Sequence, residues 1–238
     1  MQAAAIIYEE PTALAALRTR IAAAAAASRP ARPAESVRLL AVSKRQSDQQ
    51  VIACRRAGQQ DFGENYVQEI IARIERLPAD SDIEWHLIGA LQSNKTAAAA
   101  RHCSWVHSID RLKTARRLAE SRSSAGMEPI NVCVQVNLGG EAGKGGVSAG
   151  EAGDLGEEIS RLGGIRLRGL MCIPEAGAQP ALLRERFSRL RSLQEEISGR
   201  CGGLDTLSMG MSSDFELAIR EGSTMVRIGS ALFGARSQ

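Results

Sequence analysis

The chain is predicted to be a single-domain α/β protein, a (β/α)₈ TIM barrel carrying an extra N-terminal helix. Three observations carry that prediction. The 238 residues suffice for one large α/β barrel. Eight short apolar runs recur at intervals of roughly 20 to 40 residues, with helix-like stretches between them. No Gly-x-Gly-x-x-Gly follows the first run, as a doubly wound dinucleotide-binding sheet would require.

The elements follow in order. Residues 1–36 are read as an N-terminal helix and loop packing on the barrel, and residues 37–238 as the barrel. Thr12 to Ala27 is dominated by Ala and Leu after Pro11, which suits a first helical turn. Ser28 to Ser36, with Pro30 and Pro33, reads as a loop. Strands are expected at Leu39 to Ser43, Asp61 to Gly63, Trp85 to Gly89 and Trp105 to Ile109. Four more are expected at Val132 to Asn137, Leu167 to Met171, Thr206 to Met209 and Met225 to Ile228. A helix is expected from Asp48, read as its N-cap, to Ala57. Another is expected from Tyr66 to Leu77, with Val67, Ile70, Ile71 and Ile74 at helical spacing and Tyr66 packing its start. Arg111 to Ser121, Glu151 to Leu162, Leu182 to Ile197 and Phe215 to Arg220 complete the helices.

Composition excludes several function classes. The net charge of +3 is too mild to imply nucleic-acid or membrane binding. Aromatics at 3% leave no stacking platform for single strands. The longest apolar run is far short of a membrane span. Five scattered cysteines without a Cys-x-x-Cys read as reduced core thiols in a cytoplasmic protein. His102 and His107 lack the partners of a metal site, and none is expected.

Chemistry in such a barrel sits at the C-terminal ends of the strands. The first strand ends in Ser43-Lys44. A partly desolvated lysine there can act as a nucleophile toward carbonyls, a role closed to arginine, which stays protonated. The choice of residue is pointed, because only four of the thirty basic residues are lysines. The seventh and eighth strands run into Gly210-Met211-Ser212-Ser213-Asp214 and Arg227-Ile228-Gly229-Ser230. The loops after these two strands are the usual phosphate site of such barrels. Their glycines allow close backbone approach, and their serines add hydroxyl donors. An aldehyde and a phosphate in one mouth describe pyridoxal 5′-phosphate (PLP). Arg227 would face its pyridine nitrogen and disfavour protonation there. With so few aromatics, aliphatic, Met and Arg contacts are expected to hold the ring.

The chain resembles the pyridoxal phosphate homeostasis proteins, whose barrel is that of the N-terminal domain of alanine racemase. The matching segments are Leu40-Ala41-Val42-Ser43-Lys44, Phe62-Gly63-Glu64-Asn65-Tyr66-Val67-Gln68-Glu69, Trp85-His86-Leu87-Ile88-Gly89 and Leu91-Gln92-Ser93-Asn94-Lys95. They continue with Arg168-Gly169-Leu170-Met171, Leu207-Ser208-Met209-Gly210-Met211-Ser212, Val226-Arg227-Ile228-Gly229 and Phe233-Gly234-Ala235-Arg236. The resemblance implies Lys44 as the Schiff-base lysine and Ser212, Gly229 and Ser230 as phosphate contacts. It implies Arg227 at the pyridine nitrogen, with Asn65 and Met209 near the cofactor. Arg45-Gln46 departs from the family, where a small or basic residue and then Pro or Lys is more usual.

Alanine racemase needs a second base, a tyrosine from a further domain that is not expected here. Tyr8 and Tyr66 are the tyrosines of this chain. A non-enzymatic PLP carrier acting in vitamin B6 homeostasis is therefore expected, with a weak amino-acid racemase as the alternative. The implied partners are PLP and PLP-dependent apoenzymes, and a monomer is expected. Lys144 is a candidate second, transient aldehyde site.

Overall fold

Strand β1 (Arg38–Val42) is apolar after its first residue. It pairs in parallel with β2 (Asp61–Glu64) on one side and β8 (Met225–Ile228) on the other. Between them β3 (Glu84–Leu87), β4 (Trp105–Ile109), β5 (Ile130–Gln135), β6 (Ile165–Met171) and β7 (Thr206–Met211) pair in sequence order and close the barrel. This is the expected topology. The computed structural model describes residues 11–78, 82–141, 143–175 and 177–234. Tyr8, Ala235 and Arg236 lie outside the described residues.

Helix α1 (Thr12–Ala26) precedes the barrel. The helices that follow the strands are α2 (Asp48–Arg56), α3 (Val67–Arg76), α4 (Thr96–His102) and α5 (Leu112–Ser124). They continue with α6 (Ala149–Ser160), α7 (Pro180–Ser198), α8 (Phe215–Arg220) and α9 (Ser230–Phe233). The sequence did not announce α4 or α9. Helix α4 has only seven residues, four of them alanine, too few for an amphipathic period. Helix α1 and its loop fasten to α8. Arg20 pairs with Glu216 at 2.8 Å, and Arg32 donates to the Ile219 and Ser223 carbonyls at 2.7 and 2.9 Å.

Strand alternation sorts the core into two layers. Ala41, Val106, Leu207, Met209 and Val226 join the apolar layer between barrel and helices. Leu40, Trp105, Cys133, Met171 and Met225 form a second cluster inside the barrel. The lumen is thus a packed core rather than a pore.

Two expectations about the helices need correction. Ser47, not Asp48, caps α2: its hydroxyl accepts from the Gln50 N–H at 3.3 Å while Gln50 Oε1 accepts from the Ser47 N–H at 3.0 Å. Asp48 instead accepts from Arg73 at 2.7 Å and from Arg76 at 2.6 Å. Helix α3 buries Val67, Ile70 and Arg73, whereas Ile74 is exposed. The helix is turned so that Arg73 meets the buried Glu64, which a purely apolar reading of the spacing misses.

Candidate functional site

The C-terminal ends of the strands open on a cavity of about 500 Å³. Lys44, Asn65, Ser212, Arg227, Gly229 and Ser230 all line it, so residues from four strand ends meet as expected. Met209 does not line it; it is fully buried in the layer facing the helices. Ser208 faces the lumen and Met209 outward. Plain alternation would turn Met211 outward as well, but the β7–β8 register shifts between Ser208 and Met211 and Gly210 takes a positive φ, so Met211 reaches the cavity.

Lys44 is half-buried, on the loop after β1. A buried ionic cluster beneath it shapes that loop. Arg73 Nη2 donates to the Ser43 and Gln46 carbonyls, each at 2.8 Å. Its Nε donates to Glu64 at 2.8 Å, and the Ser43 hydroxyl donates to the same carboxylate oxygen at 2.7 Å. Burial pushes the Glu64 carboxyl up, opposed by Ser43 and Arg73. Within this loop Arg45 takes a left-handed φ of 61°, which the carbonyl bonds on either side of it help to hold.

The other wall is built by β7 and β8. Gly210 has φ 95°, and a Cβ there would lie 2.6 Å from Ala218 Cβ, so only glycine fits against α8. The turn after it is closed by Asp214, whose Oδ1 accepts from the Met211 N–H at 2.6 Å. Burial raises that carboxyl, against the Met211 bond and Arg227. Ser212 Oγ accepts from the Ala231 N–H at 3.2 Å and ties this turn to α9.

Arg227 is buried, with its guanidinium pinned from below. Nη1 donates to the Ser208 carbonyl at 2.6 Å and the Ser208 hydroxyl at 2.7 Å; Nη2 donates to the Cys172 carbonyl at 2.8 Å. Among the described residues lining the cavity, the charged side chains are Lys44 and Arg227, both cationic. Val42, Ile88, Ile173 and Met211 supply apolar walls without an aromatic ring. Cation, hydroxyls, glycine backbone and one amine are the donor set that PLP would need.

A second cavity of about 240 Å³ adjoins the first and shares Asn65 and Gly89 with it. Tyr66 and Lys95 line it, and Tyr66 is exposed there rather than packed at the helix start. Lys144 is engaged elsewhere, with Glu141 at 2.5 Å and the Pro174 carbonyl at 3.3 Å. Asp61, Glu84 and His86 converge at the opposite end of the barrel. Arg38 already bridges the two carboxylates there, so the cluster is an ion-pair network rather than a cation site.

Sequence reasoning missed the Glu64–Arg73 cluster and the lumen residues His86, His107 and Ser208. The signal for the latter was a polar residue on the lumen-facing side of an otherwise apolar strand.

A strand-end lysine and glycine–serine turns in one barrel mouth define a class, the alanine racemase-type barrels. Residues 13–237 match the family described as alanine racemase, N-terminal domain. The alanine racemase of Corynebacterium glutamicum has the same fold, with a TM-score of 0.68 at 16% identity over 96% of this chain and 62% of that one. Within the class, the pyridoxal phosphate homeostasis protein of Pseudomonas aeruginosa is 51% identical over 227 residues, 95% of each chain. The chain belongs to the pyridoxal phosphate homeostasis protein family. PipY of Synechococcus elongatus, solved with PLP bound, superposes with a TM-score of 0.82 at 36% identity, covering 95% of this chain and all of that one.

Proposed function

We propose that this chain binds PLP as a Schiff base on Lys44 and holds it for vitamin B6 homeostasis, without turning over substrates. PLP supplies an electrophilic aldehyde carbon and a ring that becomes an electron sink when its nitrogen is protonated. The residues here serve the first property and oppose the second. Lys44 offers the amine. Ser212, Gly229 and Ser230 would receive the phosphate. Arg227, a fixed cation, disfavours a second positive charge on the ring nitrogen.

One observation carries the carrier reading. No histidine, tyrosine or carboxylate is among the described residues lining the cavity, and those are the side chains that would serve as a second base there. The near full-length relative from Pseudomonas aeruginosa is named for homeostasis rather than for a reaction. A reducing, cytoplasmic setting is supported by five cysteines that are all buried and unpaired. PLP-dependent apoenzymes are the acceptors this reading implies.

The test is spectroscopic. Adding PLP should produce a visible absorbance band that borohydride abolishes and that Lys44→Ala lacks. Failure of the wild-type chain to develop the band overturns the binding reading. Exchange of amino-acid α-protons in D₂O at enzymatic turnover rates overturns the carrier reading.

Gly89 adds a second prediction. A Cβ there would sit 2.2 Å from the Asn65 carbonyl oxygen, a backbone atom that cannot simply rotate away. Gly89→Ala should therefore displace Asn65 and weaken PLP binding by about tenfold or more, some 1.4 kcal/mol. Titration by absorbance reads this; unchanged affinity would remove Asn65 from the site.

A further inference from the structure

A hydrogen-bonded line of side chains crosses the barrel lumen from its opposite end to the cofactor cavity. Asp61 meets His86 Nε2 at 2.9 Å. His86 Nδ1 meets His107 Nε2 at 2.9 Å, and His107 Nδ1 meets Ser208 Oγ at 2.9 Å. Ser208 Oγ accepts from Arg227 Nη1 at 2.7 Å. Both imidazoles and Ser208 are fully buried. His86 is further held by stacking on Trp105, with ring centroids 5.5 Å apart and planes within 5°.

The positions of the protons follow from elimination. Burial lowers the pKa of His86, against its bond to Asp61, and lowers that of His107 still further. Both rings are therefore neutral, each with one N–H. Asp61 is held below the ordinary carboxylate range by His86 and Arg38 despite burial, so it only accepts. His86 must then carry its proton on Nε2. Its bare Nδ1 must accept from His107 Nε2–H. The bare Nδ1 of His107 must accept the Ser208 hydroxyl proton. That leaves a Ser208 lone pair for Arg227. Every link has one proton and one direction, and each imidazole turns its negative end toward the guanidinium. A further proton on His86 would reverse His107 and leave the Ser208 hydroxyl without its acceptor.

We propose that His107, acting through Ser208, is a positioning residue for Arg227: the one-way line from Asp61 fixes the guanidinium beneath the cofactor cavity and supports its charge there. Among the described residues no carboxylate is in hydrogen-bond contact with Arg227, so the full cation faces the cavity. The role assigned to the ring nitrogen rests on the PLP reading above; the proton order does not.

Two measurements test it. In the apo protein labelled with ¹⁵N-histidine, both imidazoles should be protonated at Nε2 near neutral pH. A proton on Nδ1 of either ring overturns the proposal whether or not PLP binds. In protein loaded with ring-¹⁵N PLP, Ser208→Ala and His107→Leu should move the ring-nitrogen signal toward its protonated position. Both should also speed PLP loss several-fold. His107→Asn, whose carboxamide oxygen can still accept from Ser208, should return the signal toward wild type. Loaded variants with unchanged signals overturn the proposal while leaving the PLP reading intact. A wild-type chain that takes up no PLP overturns that reading instead, and the apo proton order then decides the line by itself. Should His107→Leu fail to fold, Ser208→Ala, which removes one oxygen, carries the same comparison.

Discussion

Replacing Arg73 by alanine is expected to lower folding stability by about 3–5 kcal/mol. The size follows from what remains. Arg73 and Glu64 are both buried, and the arginine ties together Glu64, Asp48 and two loop carbonyls. Without it Glu64 keeps the Ser43 hydroxyl and loses its countercharge in a site that already disfavours ionisation. Urea unfolding should show the midpoint fall without a change in slope. PLP retention should fall as well, because the Ser43 and Gln46 carbonyls flank Lys44. The pair Glu64→Gln with Arg73→Met should cost less than Arg73→Ala alone, since it leaves no unpaired charge. A loss below about 1 kcal/mol for Arg73→Ala would place this cluster among weak surface pairs.

Acid should destabilise the fold well above the carboxylate range. The folded state keeps His86 and His107 neutral, with pKa values lowered by burial. The unfolded chain takes up protons on both as pH falls below about 6.5. More protons bound in the unfolded state means that stability rises with pH. Between about pH 6.5 and 5 each buried histidine should therefore remove up to about 1.4 kcal/mol per pH unit. Asp61 acts in a different window. Its lowered pKa contributes stability above the unfolded carboxylate range and loses it only as pH falls below about 4. Charged groups near the pair are Asp61, Arg38 and Glu84 at one end and Arg227 at the other. Urea midpoints at pH 7.5 and 5.5 check this, with His107→Asn expected to remove about half the slope. A flat profile over that range would show that the histidines charge within the fold.

Local chemistry explains what the sequence revealed. The barrel was legible because each strand is a short apolar run and most helices are long enough to show their period. Lys44, Ser212, Gly229 and Ser230 were legible because strand ends and glycine–serine turns are local features with few other uses. Met209 and Met211 show the limit: two residues apart and both apolar, they share a face by plain alternation, and only the register shift near the end of β7 separates them. Glu64 and Arg73 were opaque for another reason. Each reads as an ordinary charged residue until the loop, strand and helix close around it. The lumen line is more distributed still, drawing Asp61, His86, His107, Ser208 and Arg227 from five strands. No spacing rule connects them; only barrel closure does. Helix α4 was missed because alanines bury without an amphipathic pattern.

The position of the covalent bond can be measured directly. The chain should be loaded with PLP, reduced with borohydride, digested and mapped by mass spectrometry. The reduced adduct is expected on Lys44, and none on Lys144, which is paired with Glu141. An adduct chiefly on Lys95, Lys113 or Lys144, or undiminished labelling in Lys44→Ala, would contradict it.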